Sequence, residues 1–258
     1  MHLQPPRRAL LAALALSACV TAAPPPASLR DPVVETAERA VAAADRTPED
    51  RALDAGRHPA ELLIFLGLRP GARVAELGAG GGYTAELLAR AVGPTGVVYA
   101  QNSKIMRSFV GDRWDSRLQR PAMARVLRVD RELEEPLPPE ARALDLVLMQ
   151  ATYHDTLWLD VDRARMNRAV FEALAPGGAF VIIDSSAKEG SGRDEAYNLH
   201  RVDEQLVRRE VEAAGFKLIG SSSFLRNPDD ARDWNSAPNE AGARRGTSDR
   251  FALRFVKP

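Results

Sequence analysis

The chain has 258 residues, 45% hydrophobic and 27% charged, which is enough apolar material for one sizeable core with appendages. Thirty-five Lys and Arg stand against 35 Asp and Glu, so the formal net charge is zero and the electrostatic case for a general nucleic-acid binder falls away. One Cys excludes an intramolecular disulfide framework and a cysteine-rich zinc site.

Met1 to Arg8 carries two arginines and no acid, and Ala9 to Ala18 is apolar or small throughout. This is the charged and hydrophobic pattern of a secretory signal peptide, too short to span a membrane. Cys19 follows Leu16-Ser17-Ala18, which resembles the lipobox of bacterial lipoproteins. The match implies cleavage before Cys19, lipid on that residue, and a periplasmic domain anchored to the cell envelope, at the outer membrane, without a spanning helix. An ordinary signal peptide with an incidental cysteine is the alternative. Residues 1–18 are then the signal, 19–30 the lipidated Cys and a tether containing Pro24-Pro25-Pro26, and 31–258 the folded domain. Arg7-Arg8 also resembles a loose twin-arginine export signal, although no Ser or Thr precedes it and a plain basic segment fits as well.

Apolar spacing predicts helices over Asp31 to Ala44, Pro59 to Leu68, Tyr83 to Val92, Asp160 to Leu174 and Glu195 to Ala214. Short β-type runs are predicted over Arg73 to Leu77, Gly96 to Gln101, Ala124 to Val129, Ala143 to Gln150, Ala179 to Asp184, Phe216 to Phe224 and Arg250 to Phe255. Strand and helix alternate, so an α/β fold with a doubly wound, mainly parallel sheet is expected. Only the loop Arg226 to Asp249 joins the last two strands, and without a helical crossover the final strand is expected to be antiparallel.

Between the first strand and its helix stands Glu76-Leu77-Gly78-Ala79-Gly80-Gly81-Gly82-Tyr83-Thr84. Glycines there permit a tight turn and let a ligand approach the backbone at a helix N-terminus. No Gly-Lys-Ser/Thr follows, which excludes a nucleotide-triphosphate P-loop. With Glu76, Gly78, Gly80 and Gly82 in the pattern acid-x-Gly-x-Gly-x-Gly, the chain resembles the class I S-adenosylmethionine-dependent methyltransferases. It looks most like an exported bacterial group of predicted methyltransferases, through Arg57-x-Pro59, Phe65-Leu66-Gly67-Leu68-x-Pro70-Gly71, Tyr153-His154-Asp155, and Leu225-Arg226-Asn227-Pro228 with Thr247-x-Asp249-Arg250-Phe251. The resemblance covers nearly everything after Thr47 and implies a Rossmann-like seven-stranded sheet with its last strand reversed.

The resemblance also implies that S-adenosylmethionine is the cofactor, its methionine end near Glu76, Gly78 and Gly80, with Gly82 a further cofactor-binding residue of the motif. The acid that normally holds the ribose falls at Asn102, 24 positions after Gly78, a departure that removes a charged acceptor. Asp130 matches the acid that meets the adenine amine; a solvated turn acid is the plain alternative. Because ligands sit at the carboxyl ends of strands, Tyr153, His154 and Asp155 are the candidate catalytic residues, with His154 as general base and Asp155 orienting it. A turn histidine followed by a helix N-cap is the structural alternative. No metal is assigned, although His200 and Asp203 on one helix side can reach an ion with His154 or Asp184. Trp234, in the long loop, either closes a substrate pocket or packs on its own loop. The reading is an envelope-anchored S-adenosylmethionine-dependent methyltransferase with a small-molecule acceptor and no nucleic-acid or evident protein partner. Its rival is a non-catalytic envelope binding protein that retains the fold.

Overall fold

Seven strands share one sheet in the computed structural model, which describes Met1 and residues 31–258. Cys19, the Arg7-Arg8 pair and the tether lie outside the described residues. The strands are β1 (Arg73–Leu77), β2 (Val97–Asn102), β3 (Val126–Asp130), β4 (Leu144–Gln150), β5 (Leu174–Ser185), β6 (Lys217–Ser222) and β7 (Arg250–Val256), in the spatial order β3-β2-β1-β4-β5-β7-β6. β1 to β5 pair in parallel, and β7 runs antiparallel to both β5 and β6. The final strand is thus reversed, as its crossover-free connection requires.

Ten helices accompany the sheet among the described residues: α1 (Pro32–Ala42), α2 (Pro48–Arg57), α3 (Pro59–Leu66), α4 (Tyr83–Val92), α5 (Lys104–Val110), α6 (Asp112–Leu118), α7 (Asp155–Trp158), α8 (Arg163–Ala173), α9 (Ala196–Leu199) and α10 (Glu204–Ala213). None is long and apolar enough to cross a membrane. Strand side chains alternate between two cores. Val74, Val98, Leu146, Leu148, Val181 and Ile183 join α1, α3 and α4 on one face. Ala75, Leu77, Val147, Met149, Phe180 and Ile182 join α8 and α10 on the other. This alternation puts Glu76 on the face of Val74, and Asp184 on the face of Ile182.

The helix predicted over Glu195 to Ala214 is broken. His200 takes a left-handed backbone (φ 50°) after α9, and Asp203 caps α10 by accepting from the Gln205 N–H at 2.9 Å. Local capping overrides the apolar spacing there. Helix α2 is largely polar and shows no apolar stripe; its start is set by the Thr47 side chain, which accepts from the Asp50 N–H, and by Pro48 in the first turn. Charge holds it in place. Asp50 pairs with Arg117 of α6 at 2.6 Å, and buried Glu86 of α4 pairs with Arg90, Arg117 and Arg120 at 2.7, 2.7 and 2.5 Å. α2, α4 and α6 are thereby clamped through polar residues that a hydrophobic pattern does not reveal.

Candidate functional site

The glycine loop leaves the carboxyl end of β1, and each of its three motif glycines does a different job. A Cβ on Gly78 would lie 2.4 Å from the Thr152 hydroxyl, so this glycine lets the loop after β4 close against it. On Gly82 a Cβ would lie 2.5 Å from the Trp114 ring, so that residue admits α6 beneath the start of α4. Gly80 alone of the three would meet nothing within 4 Å. Its positive φ of 55° favours glycine for backbone reasons, and its free side faces open space, as a ligand cradle requires.

The end of β2 fixes the loop. Gly78 N–H donates to Gln101 Oε1 at 3.0 Å, Ala79 N–H to the Gln101 carbonyl at 2.9 Å, and Gly80 N–H to Asn102 Oδ1 at 2.8 Å. Asn102 also donates from Nδ2 to the Gly80 carbonyl at 3.1 Å. The Asn102 amide, fully buried, therefore grips one residue of the loop with both its polar atoms, a use different from the expected ribose contact. Sequence reasoning passes over Gln101; its signal is an amide inside an otherwise apolar strand.

Glu76 is buried at 3% exposure, and its Oε2 has no hydrogen-bond partner. Burial pushes its pKa up to about 8, against the opposing pull of Arg57, the Thr84 side chain and the Ala85 N–H. Burial thus favours the neutral acid while that oxygen has no partner, and a cationic group set against it would favour the carboxylate. Arg57 lies over the Tyr83 ring, 4.4 Å from its centroid, and the Tyr83 hydroxyl donates to Asp54 at 2.7 Å. Arg250, at the start of β7, donates to the Gly56 carbonyl at 2.6 Å. Two segments far apart in sequence thus meet beside the glycine loop. Asp130, at the end of β3, accepts from Arg107 at 3.0 Å and Arg128 at 2.8 Å on the rim of an open, charged hollow.

On the other side of β1, the chain leaving β4 gives a different picture from the expected catalytic trio. Tyr153 is a correction. Its ring is fully buried in the core under α8 and α10, and its hydroxyl donates to Glu210 at 2.8 Å and accepts from Asn167 at 3.2 Å. It is held as a core residue because its hydroxyl finds partners inward.

His154 and Asp155 do come together. His154 Nδ1 lies 2.7 Å from Asp184 Oδ1, while Nε2 lies 3.1 Å from Asp155 Oδ1 and 3.2 Å from His200 Nδ1. Burial alone would lower the His154 pKa, but Asp184 and Asp155 outweigh it and raise it to about 10. Both carboxylates favour the protonated ring, which opposes the expected use of His154 as a general base. It is Asp184 that orients the imidazole through Nδ1, accepting also from the His154 and Ser185 N–H groups at 2.9 and 2.8 Å. Burial would raise the Asp155 pKa, yet His154, His200 and Trp158 together hold it well below the usual carboxylate range. Asp203 goes elsewhere, to the cap of α10.

Trp234 packs on its own loop: its Nε1 donates to Asp230 at 2.7 Å and the Arg201 guanidinium lies 4.7 Å from its ring centroid. The hollow there is lined by Asn227, Asp229, Asp230, Arg244 and their neighbours, without His154. The loop is closed by Asn227, whose N–H donates to Asp249 at 2.9 Å and whose Nδ2 donates to the Thr247 carbonyl at 2.7 Å.

The model of the protein-L-isoaspartate(D-aspartate) O-methyltransferase family matches residues 48–110, from α2 through the glycine loop to the end of α5. No curated protein matches the chain in sequence. Among solved structures, the chain is similar to a SAM-dependent methyltransferase from Aquifex aeolicus, at 17% identity and a TM-score of 0.56, over 82% of this chain and 94% of that one. A sarcosine dimethylglycine methyltransferase, so described provisionally, from Galdieria sulphuraria is similar at 18% identity and a TM-score of 0.59, over 81% and 87%. The glycopeptide N-methyltransferase MtfA, complexed with sinefungin, is similar at 19% identity and a TM-score of 0.54, over 84% and 88%. Strand order, the reversed β7 and the glycine loop after β1 agree with these likenesses: the chain has the Rossmann-like α/β fold of S-adenosylmethionine-dependent methyltransferases.

Proposed function

We propose that this protein is an S-adenosylmethionine-dependent methyltransferase that acts on a small-molecule acceptor and is held in the cell envelope by lipid on Cys19. The observation that carries the reading is the buried Glu76 oxygen without a partner, beside a glycine loop whose Gly80 faces open space. These features fit the cationic amine and the backbone-approaching methionine end of the cofactor. When bound, the cofactor supplies a methyl group already activated on a sulfonium. Glu76 and the Gly80 backbone would hold its amino-acid end, Gly78 and Gly82 set the loop's shape, and Asn102 keeps Gly80 in place. Asp130 is the candidate for the adenine side, shared with its two arginines. The enzyme's remaining task is alignment of donor and acceptor. The net charge of zero speaks against a nucleic-acid acceptor, and the leader-like first 18 residues support an envelope address.

One observation favours the non-catalytic binding protein. The position of the usual ribose acid holds an amide whose oxygen and nitrogen are both committed to Gly80. Equilibrium dialysis of residues 19–258 with labelled S-adenosylmethionine separates the two readings. Wild type is expected to retain label, and Gly80→Ala to lose at least tenfold in affinity. Gly67→Ala is the control: Gly67 also has positive φ (61°) and open space, so it carries similar backbone strain away from the site. Loss of retention in both variants alike would mean that strain, not ligand approach, explains Gly80. For the address, Cys19→Ala is expected to abolish fatty-acid labelling and release the protein from the membrane fraction; unchanged labelling contradicts the anchor.

A further inference from the structure

We propose that His154, Asp155 and His200 bind one divalent transition-metal ion of the zinc class, with Asp184 supporting His154 from behind. Nothing in the methyltransferase reading requires this site, and it stands on its own geometry. Three candidate ligand atoms, His154 Nε2, Asp155 Oδ1 and His200 Nδ1, converge at separations of 3.1, 3.2 and 3.7 Å, and binding a metal ion would release the proton from Nε2. Ligand atoms around a tetrahedral zinc with bonds of about 2.0–2.1 Å stand about 3.4 Å apart, so one ion fits among them without large rearrangement.

The surroundings match those of a metal-bound imidazole. A ligating histidine donates its other ring N–H to a carboxylate, which fixes the tautomer and aims the lone pair at the ion. Asp184, with no exposed surface, occupies that place at 2.7 Å from Nδ1, and is itself held by two backbone N–H groups. Asp155 is steadied by the Trp158 indole, whose Nε1 donates to it at 3.0 Å. His200 is steadied through its backbone, since the Ser236 hydroxyl donates to its carbonyl at 2.6 Å. One fully buried and one partly buried carboxylate flank the imidazole, a negative surrounding in which a divalent ion is at home. Two nitrogens and one carboxylate oxygen suit zinc or cobalt better than calcium or magnesium, which prefer all-oxygen sets. Three protein ligands leave at least one position open, the pattern of a site that also takes water or an oxygen- or sulfur-bearing ligand.

Among the described residues, the other histidine, His58, lies beside Glu61 at 3.6 Å and serves as a control. Its backbone is left-handed (φ 48°), as is that of His200 (φ 50°), and asparagine tolerates this conformation better than most residues. The test is titration of untagged protein with Co2+ as a spectroscopic probe, followed by displacement with Zn2+. Wild type is expected to bind one Co2+ per chain with a visible ligand-field band that zinc abolishes. His200→Asn should weaken binding at least 100-fold, Asp184→Asn by about 10–100-fold, and His58→Asn not at all. Circular dichroism without metal shows whether each variant is folded; if Asp184→Asn is not, His200→Asn decides. Absence of the band in wild type, or equal affinity of wild type and His200→Asn, overturns the proposal. S-adenosylmethionine dialysis on the same samples reads the methyltransferase assignment independently.

Discussion

Two buried carboxylates stand near the carboxyl end of the sheet, on opposite faces, and they are provided for in opposite ways. Glu76, toward α4, has an oxygen with no partner and a pKa pushed up by burial. Asp184, toward α7 and α9, takes the His154 ring nitrogen and two backbone N–H groups. The contrast separates a group left incomplete from a group that supports another. An orphaned buried carboxyl group is tolerated where a ligand completes it, whereas a fully satisfied one acts through what it orients.

Glu76→Gln is the strongest way to probe the incomplete side, and the sign follows from linkage. The folded-state pKa of about 8 lies above the ordinary value of 4.5, so the native chain holds a proton that the unfolded chain has released between those values. Wild-type stability from this group is therefore fully present below about pH 4.5 and is lost as pH rises toward 8. Glu76→Gln should show no such fall and should exceed wild type at pH 9 by a few kcal/mol, since each tenfold change in proton affinity is worth about 1.4 kcal/mol. Denaturant unfolding across pH measures this, and a constant difference between the two proteins would contradict the burial account.

Gly82→Ala should cost about 2–3 kcal/mol, because a Cβ would press on the Trp114 ring and the backbone φ is 81°. Thermal unfolding should show a drop of several degrees. A near-neutral result would mean that α6 yields easily and that the loop is less rigid than its contacts imply. Tyr153→Phe tests the supported side. Loss of a buried hydroxyl that serves Glu210 and Asn167 should cost about 1–2 kcal/mol while leaving cofactor affinity unchanged. A lowered affinity with unchanged stability would restore Tyr153 to the ligand pocket.

The two sides are also unequally legible in the sequence. The donor side rests on a local motif: a strand, a run of glycines and a helix start within nine residues, each imposing a backbone requirement that residue type reveals. The reversed β7 is legible too, because the loop before it carries no helical periodicity. His154, Asp184 and His200 reach one another only through the β4–β5 pairing and through a left-handed turn that breaks a helix predicted from its apolar spacing. Tyr153 misleads because strand-end residues alternate, and a hydroxyl can be satisfied inside the core as well as at a ligand. Asn102 stands where a ribose contact is expected, but a single sequence does not say that its amide grips Gly80. The Asp50, Glu86, Arg117 and Arg120 clamp is hidden for a related reason: charged residues read as solvated until the elements that bury them are in place.

The central claim is that Glu76 and the glycine loop form a donor site awaiting a cationic ligand, and isothermal calorimetry with S-adenosylmethionine tests it most directly. Wild-type residues 19–258 should bind one equivalent, and Glu76→Gln, although more stable at high pH, should bind at least tenfold more weakly. Folded wild type that releases no heat and retains no ligand, or equal affinity in the two proteins, would contradict the account.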